Sequence, residues 1–537
     1  MTVKFLTPVQ LWQDFDPKGA PLDIAIAYNT ETEALRTKGV FFTAVREEAE
    51  QIRAFAEIKT LVPQPKKALL TILTEPDQAA LADSYDELLQ RGFAIMTVDV
   101  SGVPDEKGNA TNYTEAYKYA SFAEGRPDRF LATPSAKSSP VYLWAKIIRR
   151  AITLLEYFYP KAKVAVMGAK TAADVAWQVA AMDARTSALI ALLGDYSEPP
   201  VTEEDSSNAD SYTMAISAKS AARMVKCPCL VATCANATGG DVEKVSEIVN
   251  QISEGVPFAL TVTPRLNAQI AASDLISTYK WLDKTLKGEP SFELKLTPDP
   301  LENGVHFVLR APAGKVQSAT LHVSYNDAPA EYRHWHDYPM SKHQDGSFTA
   351  EIPVWEGDRE LLSYATTAVS GGLSLSTRGV GTLVSSERVY PTSHFLLDTA
   401  SDHGMYSDDS EETFLSHPED FSVAECPNGV PGFRGKGALR TNILSEEGRY
   451  DPATSLHISV YSAREDEVRV CIAKIEDGEI VTYTALCDVE GEEWTRLSLG
   501  TDDFKTKELI PMKDWDGMLG LILPDTDDKL YNNFLWM

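Results

Sequence analysis

Histidine is scarce where it would matter most. The 537-residue chain has nine, and none precedes His306. The first 305 residues therefore contain no imidazole, the group that in most acyl-transfer sites takes a hydroxyl proton and returns it to the leaving group. Cysteine is sparse too: six in all, without the paired spacing of a disulfide framework. Cys227, Cys229 and Cys234 cluster on or beside one apolar run, either as buried thiols or as a Cys-x-Cys metal or redox site that lacks nearby histidines. No run of about 18 apolar residues occurs, so no membrane span is expected. The first sixteen residues have no apolar leader core or cleavage signal. The expected location is cytoplasmic, or secreted if a leader has been removed. Positive charge is in short supply: 50 Lys and Arg face 78 Asp and Glu, a net charge of -28. Residues 401–537 hold 29 acidic against 12 basic residues, a net -17. This disfavours nucleic acid and anionic membranes as partners. It favours neutral ligands, cations or simple solubility.

The chain is organised around residues 163–195. Val164–Met167 is a short apolar run of buried-strand type, and Gly168 ends it. Ala173, Ala176, Trp177, Ala180 and Ala181 then recur at helical spacing. A second apolar run follows at Ala188–Leu193, which completes a β-α-β unit. The turn reads Gly168-Ala169-Lys170-Thr171-Ala172. It resembles the nucleophile elbow of the α/β-hydrolases, G-x-S-x-G, with Lys170 in the serine position and Ala172 in place of the second glycine.

Upstream, Asp23–Tyr28, Val40–Thr43 and Ala54–Leu61 read as an antiparallel meander. Ala68–Leu73 and Ala94–Val100 read as strands around a helix at Ala80–Gln90. The turn-rich segment Gly102–Ser139 is long enough to be functional or capping. Val141–Phe158, Val242–Ile252 and Ala272–Leu286 carry helical patterns; Cys229–Thr233 and Phe258–Thr263 are the last two strands. Glu198–Ser211 reads as an acidic surface insertion. Strands alternating with helices predict an α/β fold: a doubly wound, mostly parallel α/β-hydrolase sheet over residues 1–289.

Beyond residue 289 the pattern changes to short alternating strands. Residues 290–399 are expected to form an immunoglobulin-like β-sandwich and residues 400–537 a jelly roll, with 396–410 as a linker. The last unit resembles carbohydrate-binding modules of the galactose-binding type. The first unit is similar to acetyl-xylan-esterase-like carbohydrate esterases. Each role of that family's triad has a place in the chain. The nucleophile position holds Lys170, the acid position after Cys229–Thr233 holds Ala237, and the histidine position after Phe258–Thr263 holds Ala268. The resemblance thus implies an esterase with a degenerate triad. Lys170 is either an ion-pair partner of Asp99, Asp195 or Asp241, or a desolvated nucleophile. Thr171 and Cys234 are nearby nucleophilic atoms without a visible base.

Candidate ligand residues lie in the last unit: Trp494, Trp515 and Tyr531 as sugar-stacking rings and Arg440 as a guanidinium donor to hydroxyls or carboxylates. Trp536, Tyr483, Arg434 and Arg449 share those properties, and each ring is equally a core candidate. His334-Trp335-His336 with Asp337 is either a zinc pair or a solvated sheet edge. Asp525 opens an acidic loop that could hold calcium. No cofactor is expected. Function is left between a silent esterase relative that binds carbohydrate or another neutral ligand, an active esterase or peptidase with a non-standard site, and a structural interaction protein.

Overall fold

A computed structural model describes residues 4–537 apart from 33–34, 48–49, 75–84, 202–205, 265–269, 290–291, 302–303, 313, 326–328, 331–332, 334, 354–359, 384–393, 398–405, 409–421, 426–430, 435–437, 442–453, 526–527 and 537. The elements up to the elbow are α1 (Pro8–Trp12), β1 (Ala25–Glu31), β2 (Arg36–Glu47), β3 (Glu50–Thr60), β4 (Lys67–Leu73), α2 (Asp86–Gln90), β5 (Phe93–Asp99), α3 (Pro140–Phe158) and β6 (Lys163–Ala169). Then come α4 (Thr171–Met182), β7 (Thr186–Leu192), α5 (Ser207–Ala215), α6 (Ala218–Ala222), β8 (Cys229–Cys234), α7 (Val242–Val249), β9 (Phe258–Thr263) and α8 (Ala272–Lys287). The first part of the predicted helix at Ala80–Gln90 lies outside the described residues.

The strands run β1-β2-β3-β5-β4-β6-β7-β8-β9 across one sheet. Pairing is antiparallel from β1 to β5 and parallel from β5 to β9. Strands β4 to β9 are apolar nearly throughout because both faces are covered. On one face Phe42, Leu70, Val98, Val166 and Leu260 pack with α3, α4 and α7. On the other, Leu69, Ile95, Met167, Ile190 and Leu230 pack with α2 and α8.

Helical structure ends at Lys287, with Gly288 in the left-handed conformation a helix stop needs (φ 84°). Next come β10 (Lys295–Leu301), β11 (Gly304–Arg310), β12 (Val316–Tyr325), β13 (His336–Pro339), β14 (Ser341–Lys342), β15 (Phe348–Pro353), β16 (Glu360–Val369), β17 (Leu373–Ser376) and β18 (Val380–Leu383). Two sheets form, as a sandwich requires. One is β10-β11-β15-β14. The other, β17-β16-β12-β13 with β18 on β16, joins the edge of the parallel sheet through Ser376 opposite Leu260. Among the described residues this makes one sheet of fourteen strands. The change of character at residue 289 does not separate two cores: Leu294, Phe307 and Leu321 share a buried cluster with Leu69, Met167 and Trp281.

The last unit has two antiparallel sheets. The first contains β19 (His394–Leu397), β21 (Ser422–Glu425), β22 (Pro431–Arg434), β24 (Leu456–Ser462), β27 (Trp494–Leu499) and β29 (Lys529–Trp536). The second contains β20 (Tyr406–Asp408), β23 (Ala438–Thr441), β25 (Asp466–Glu476), β26 (Glu479–Val489) and β28 (Met518–Leu523). Two pieces of the segment expected to be a linker are strands. β19 pairs with β29 and β20 with β23, so backbone pairing draws residues before 400 into the last unit. Ile458, Val470, Leu521 and Phe534 form its core. Among the described residues no helix is long and apolar enough to cross a membrane.

Candidate functional site

The elbow is built as the sequence predicts. Strand β6 ends at Ala169, and Lys170 takes φ 51°, ψ −124° before α4 begins. A non-glycine residue held at such angles is strained by roughly 1–3 kcal/mol. The turn is fixed by hydrogen bonds from Lys170 N to Leu192 O (2.9 Å) and from Ala173 N to Lys170 O (2.9 Å). Gly168 is required by space, since a Cβ there would sit 2.0 Å from Ala172 O. The first turn of α4 lies directly on the end of β6.

The lysine at the tip is exposed. None of the three carboxylates considered as its partner takes it. Asp99 is buried and accepts from Ser101 N (2.8 Å) and Thr111 N (2.6 Å); burial raises its pKa. Asp195 accepts from Arg129 Nη2 (2.6 Å) and Ser197 N (3.0 Å). Burial works against its charge, but Ser197 and Arg129 hold its pKa below the usual carboxylate range. Asp241 caps α7, accepting from Glu243 N (2.7 Å) and Lys244 N (3.2 Å). Among the described residues Lys170 has no ion-pair partner.

The acid position is filled by packing. Ala237 is buried in the turn after β8. Its neighbour Asn236 donates from Nδ2 to Ala330 O (2.9 Å) and Arg333 O (2.5 Å). Arg333, itself buried, reaches Glu243 Oε2 (3.2 Å). The segment before β13 thus docks on the loop that would carry a hydrolase acid. Sequence reasoning missed this tie, whose partners lie more than 90 residues apart. Ala268 lies outside the described residues. Thr171 and Cys234 are buried, as are Cys227 and Cys229, where Cys229 Sγ donates to Cys227 O (3.2 Å).

Beside the elbow helix, Asp174 is fully buried. It accepts from Tyr212 Oη (3.2 Å) and lies 3.8 Å from Arg129 Nη1. Burial pushes its pKa up to about 7 against the pull of Arg129. A perturbed carboxyl in a cleft is an acid–base candidate. Here, however, the adjoining cavity is about 40 Å³, room for a few water molecules. Asp174 is therefore a buried structural acid. Its folded-state pKa lies above the ordinary value of 3.8, so its charge destabilises the fold progressively as pH rises from about 4 and fully above about 7. The stability of the wild type relative to Asp174→Asn is expected to fall by about 2 kcal/mol between pH 5 and 6.5, at 1.4 kcal/mol per unit. Urea unfolding of both proteins at the two pH values checks this; an unchanged difference would contradict it.

A larger hollow, about 340 Å³, lies where β17, β16 and β12 run side by side. Its lining includes Ser273, Ser318, Thr320, Thr366 and Ser374, with no charged residue among the lining residues; Thr367 lines it too, but its hydroxyl is turned to the Leu375 carbonyl (2.9 Å). The cross-strand register explains the grouping: Ser318 opposes Ala368, which opposes Ser374, and Thr320 opposes Thr366.

Of the His-x-His motif, the first histidine cannot be placed against the second. His334 is outside the described residues and Trp335 is fully buried. Asp337 Oδ1 instead lies 2.7 Å from Nδ1 of His322, its cross-strand partner. Among the described residues no cluster of His, Cys, Asp and Glu can hold a metal. Asp525 is engaged by Arg469 (N to Oδ2, 2.8 Å).

In the last unit two of the three candidate rings are core. Trp515 and Tyr531 are fully buried between the sheets and offer no face to a ligand, which corrects their reading as stacking platforms. Trp515 Nε1 donates to Thr454 O (3.1 Å) and Tyr531 Oη to Asp525 O (2.6 Å). Tyr483 is buried as well, bonded to Glu476. Trp494 is half-buried against Tyr461 (5.8 Å between centroids) and Leu530. The backbone of Arg440 pairs in β23, opposite Tyr406 and Ile522; its side chain lies outside the described residues, as do that of Trp536 and all of Arg449.

The strand order and the strained turn after β6 define an α/β-hydrolase fold, joined to additional all-β sheets. No protein-family model matches the sequence, and no curated protein matches it. Among solved structures, the chain is similar to acetyl xylan esterase 1 from Thermoanaerobacterium (13% identity, 50% of this chain and 89% of that one, TM-score 0.38). It is similar to an acetyl xylan esterase from Paenibacillus (12%, 51% and 91%, TM-score 0.36) and a glucuronoyl esterase from Solibacter usitatus (13%, 51% and 88%, TM-score 0.36). Likenesses this slight carry no argument about chemistry; the fold stands on strand order.

Proposed function

We propose that this protein is a silent relative of the hydrolases at its elbow and acts by binding a neutral, hydroxyl-rich ligand of carbohydrate type. One observation carries the first half: the elbow holds an exposed Lys170 where a nucleophile with a base beside it would stand. A lysine nucleophile needs a desolvated pocket or an activating neighbour, and Lys170 stands exposed with no ion-pair partner among the described residues. Alanine at position 237 and the lack of any histidine before His306 support the same reading.

The ligand class is supported by the hollow on β12, β16 and β17. Its uncharged hydroxyls can donate to and accept from a polyol, and the net charge of -28 opposes anionic ligands. A polar site of this kind distinguishes ligands by leaving its own groups unpaired when a hydroxyl is missing. Titration calorimetry of the full chain with xylohexaose and cellohexaose tests it. Binding in the micromolar to millimolar range, weakened tenfold or more by Thr320→Val with Ser318→Ala, is expected. Failure of both sugars to bind, or binding indifferent to those substitutions, would overturn it.

A further inference from the structure

One residue of the hollow's lining is bonded to a buried imidazole behind it. Thr366 lines the hollow, and its Oγ1 lies 2.9 Å from Nε2 of His322. The other ring nitrogen, Nδ1, lies 2.7 Å from Asp337 Oδ1. Three adjacent strands supply the three residues: His322 from β12, Asp337 from β13 and Thr366 from β16. His322 is buried, its ring stacked on Tyr364 at 4.7 Å between centroids, while Asp337 is about a third exposed.

This arrangement fixes the imidazole chemically. A carboxylate can only accept, so Nδ1 carries the proton and donates to Asp337. In the neutral imidazole Nε2 is then an acceptor, and Thr366 Oγ1 donates to it. A hydroxyl that donates to an oriented, carboxylate-backed imidazole, and that opens on a hollow, is an activated nucleophile. The grouping is recognised by geometry and role, whatever the order of the residues in the chain.

We infer that Thr366, His322 and Asp337 form an acyl-accepting centre, separate from the elbow, for a small uncharged carboxylic ester. The inference rests on the reading of the hollow as the ligand site. Thr366 Oγ1 attacks the ester carbonyl carbon and passes its proton to His322 Nε2. The bond to the alcohol oxygen breaks, and the imidazolium returns that proton to the departing oxygen. Water then attacks the acyl-threonine, giving a proton to Nε2, which goes back to Thr366 as the acid leaves. Asp337 stays ionised throughout and acts as a positioning residue. Thr366 and His322 are the catalytic residues. Hydroxyls from Thr320 and Ser374 lie in the same hollow as donors for the substrate.

The test uses the full chain and a fluorophosphonate probe, with the adduct mapped by mass spectrometry; the hydroxyl oxygen displaces fluoride at phosphorus and its proton leaves through His322. An adduct at Thr366 is expected. Thr366→Val should abolish it, Thr366→Ser should retain it and Lys170→Ala should leave its rate unchanged. His322→Gln and Asp337→Asn should each slow it by about 100-fold or more. Should His322→Gln fail to fold, Asp337→Asn still decides: its side chain is partly exposed, and the amide removes the negative charge and can donate to Nδ1, so the tautomer is no longer fixed. Its melting temperature and xylohexaose affinity should match the wild type, which a purely structural role would not predict. No adduct at Thr366, or equal rates in wild type and Asp337→Asn, would overturn the inference. Sugar binding without an adduct would defeat this inference alone; an adduct without sugar binding would defeat the ligand reading alone.

Discussion

Replacing Trp515 by alanine is expected to lower the stability of the last all-β unit by about 3–5 kcal/mol. The ring is fully buried between the two sheets, edge-on to Phe504 at 5.7 Å between centroids. Its neighbours Leu521, Phe534 and Tyr531 belong to the two facing sheets and cannot close over the gap without shifting those sheets. The Thr454 carbonyl also loses its indole donor, roughly a further 1 kcal/mol. Whole domains are stable by only about 5–15 kcal/mol, so the variant should melt early in the last unit while the α/β portion holds. Denaturant unfolding followed by the fluorescence of the remaining tryptophans reads this. A loss below about 1 kcal/mol would mean that the ring is not core and would reopen a role in binding.

The second large effect is at Gly168. Alanine there is expected to destabilise the α/β portion by about 3 kcal/mol or more, at the upper end of overpacking substitutions. The added methyl would meet Ala172 O at 2.0 Å and Ala173 N at 2.9 Å. Both are backbone atoms of the first turn of α4, so no side-chain rotation relieves the clash. The helix would have to move as a whole, and Val175, Ala176, Trp177 and Val179 are all buried. Glycine is thus kept at this turn for space. A variant within about 0.5 kcal/mol of wild type in thermal unfolding would contradict the close approach of β6 and α4.

The elbow and the parallel sheet were legible because their signals are local. Val164–Met167 is apolar on both faces, the alanine stripe of α4 has helical spacing, and the small residues between them mark the turn. What lay hidden is what crosses between strands. His322, Asp337 and Thr366 meet only through the register of β12, β13 and β16, and sequence reasoning attached Asp337 to its chain neighbours instead. The docking of Arg333 and Asn236 is likewise a contact between distant segments. The aromatic residues of the last unit were ambiguous for a different reason: alternating aromatics serve a sandwich core and a sugar platform equally.

That none of the three carboxylates is spare for Lys170 is partly readable in the sequence. Asp99 precedes Ser101, Asp195 precedes Ser197 and Asp241 opens a helix, each a pattern in which an aspartate bonds nearby backbone N–H groups. Those carboxylates are used locally, which leaves the lysine facing solvent. The change of pattern at residue 289 misled about packing, since periodicity reports the kind of element and not which core it joins.

If the elbow performs no chemistry, the kinetics of ester hydrolysis do not depend on its residues. For p-nitrophenyl acetate, kcat/KM would be measured on purified wild type, Lys170→Ala and Thr171→Ala, with folding verified by circular dichroism. The three values should coincide, whatever turnover the wild type shows. A fall of 100-fold or more in either variant, a loss of about 2.7 kcal/mol of transition-state stabilisation, would place the reaction at the elbow and contradict this expectation.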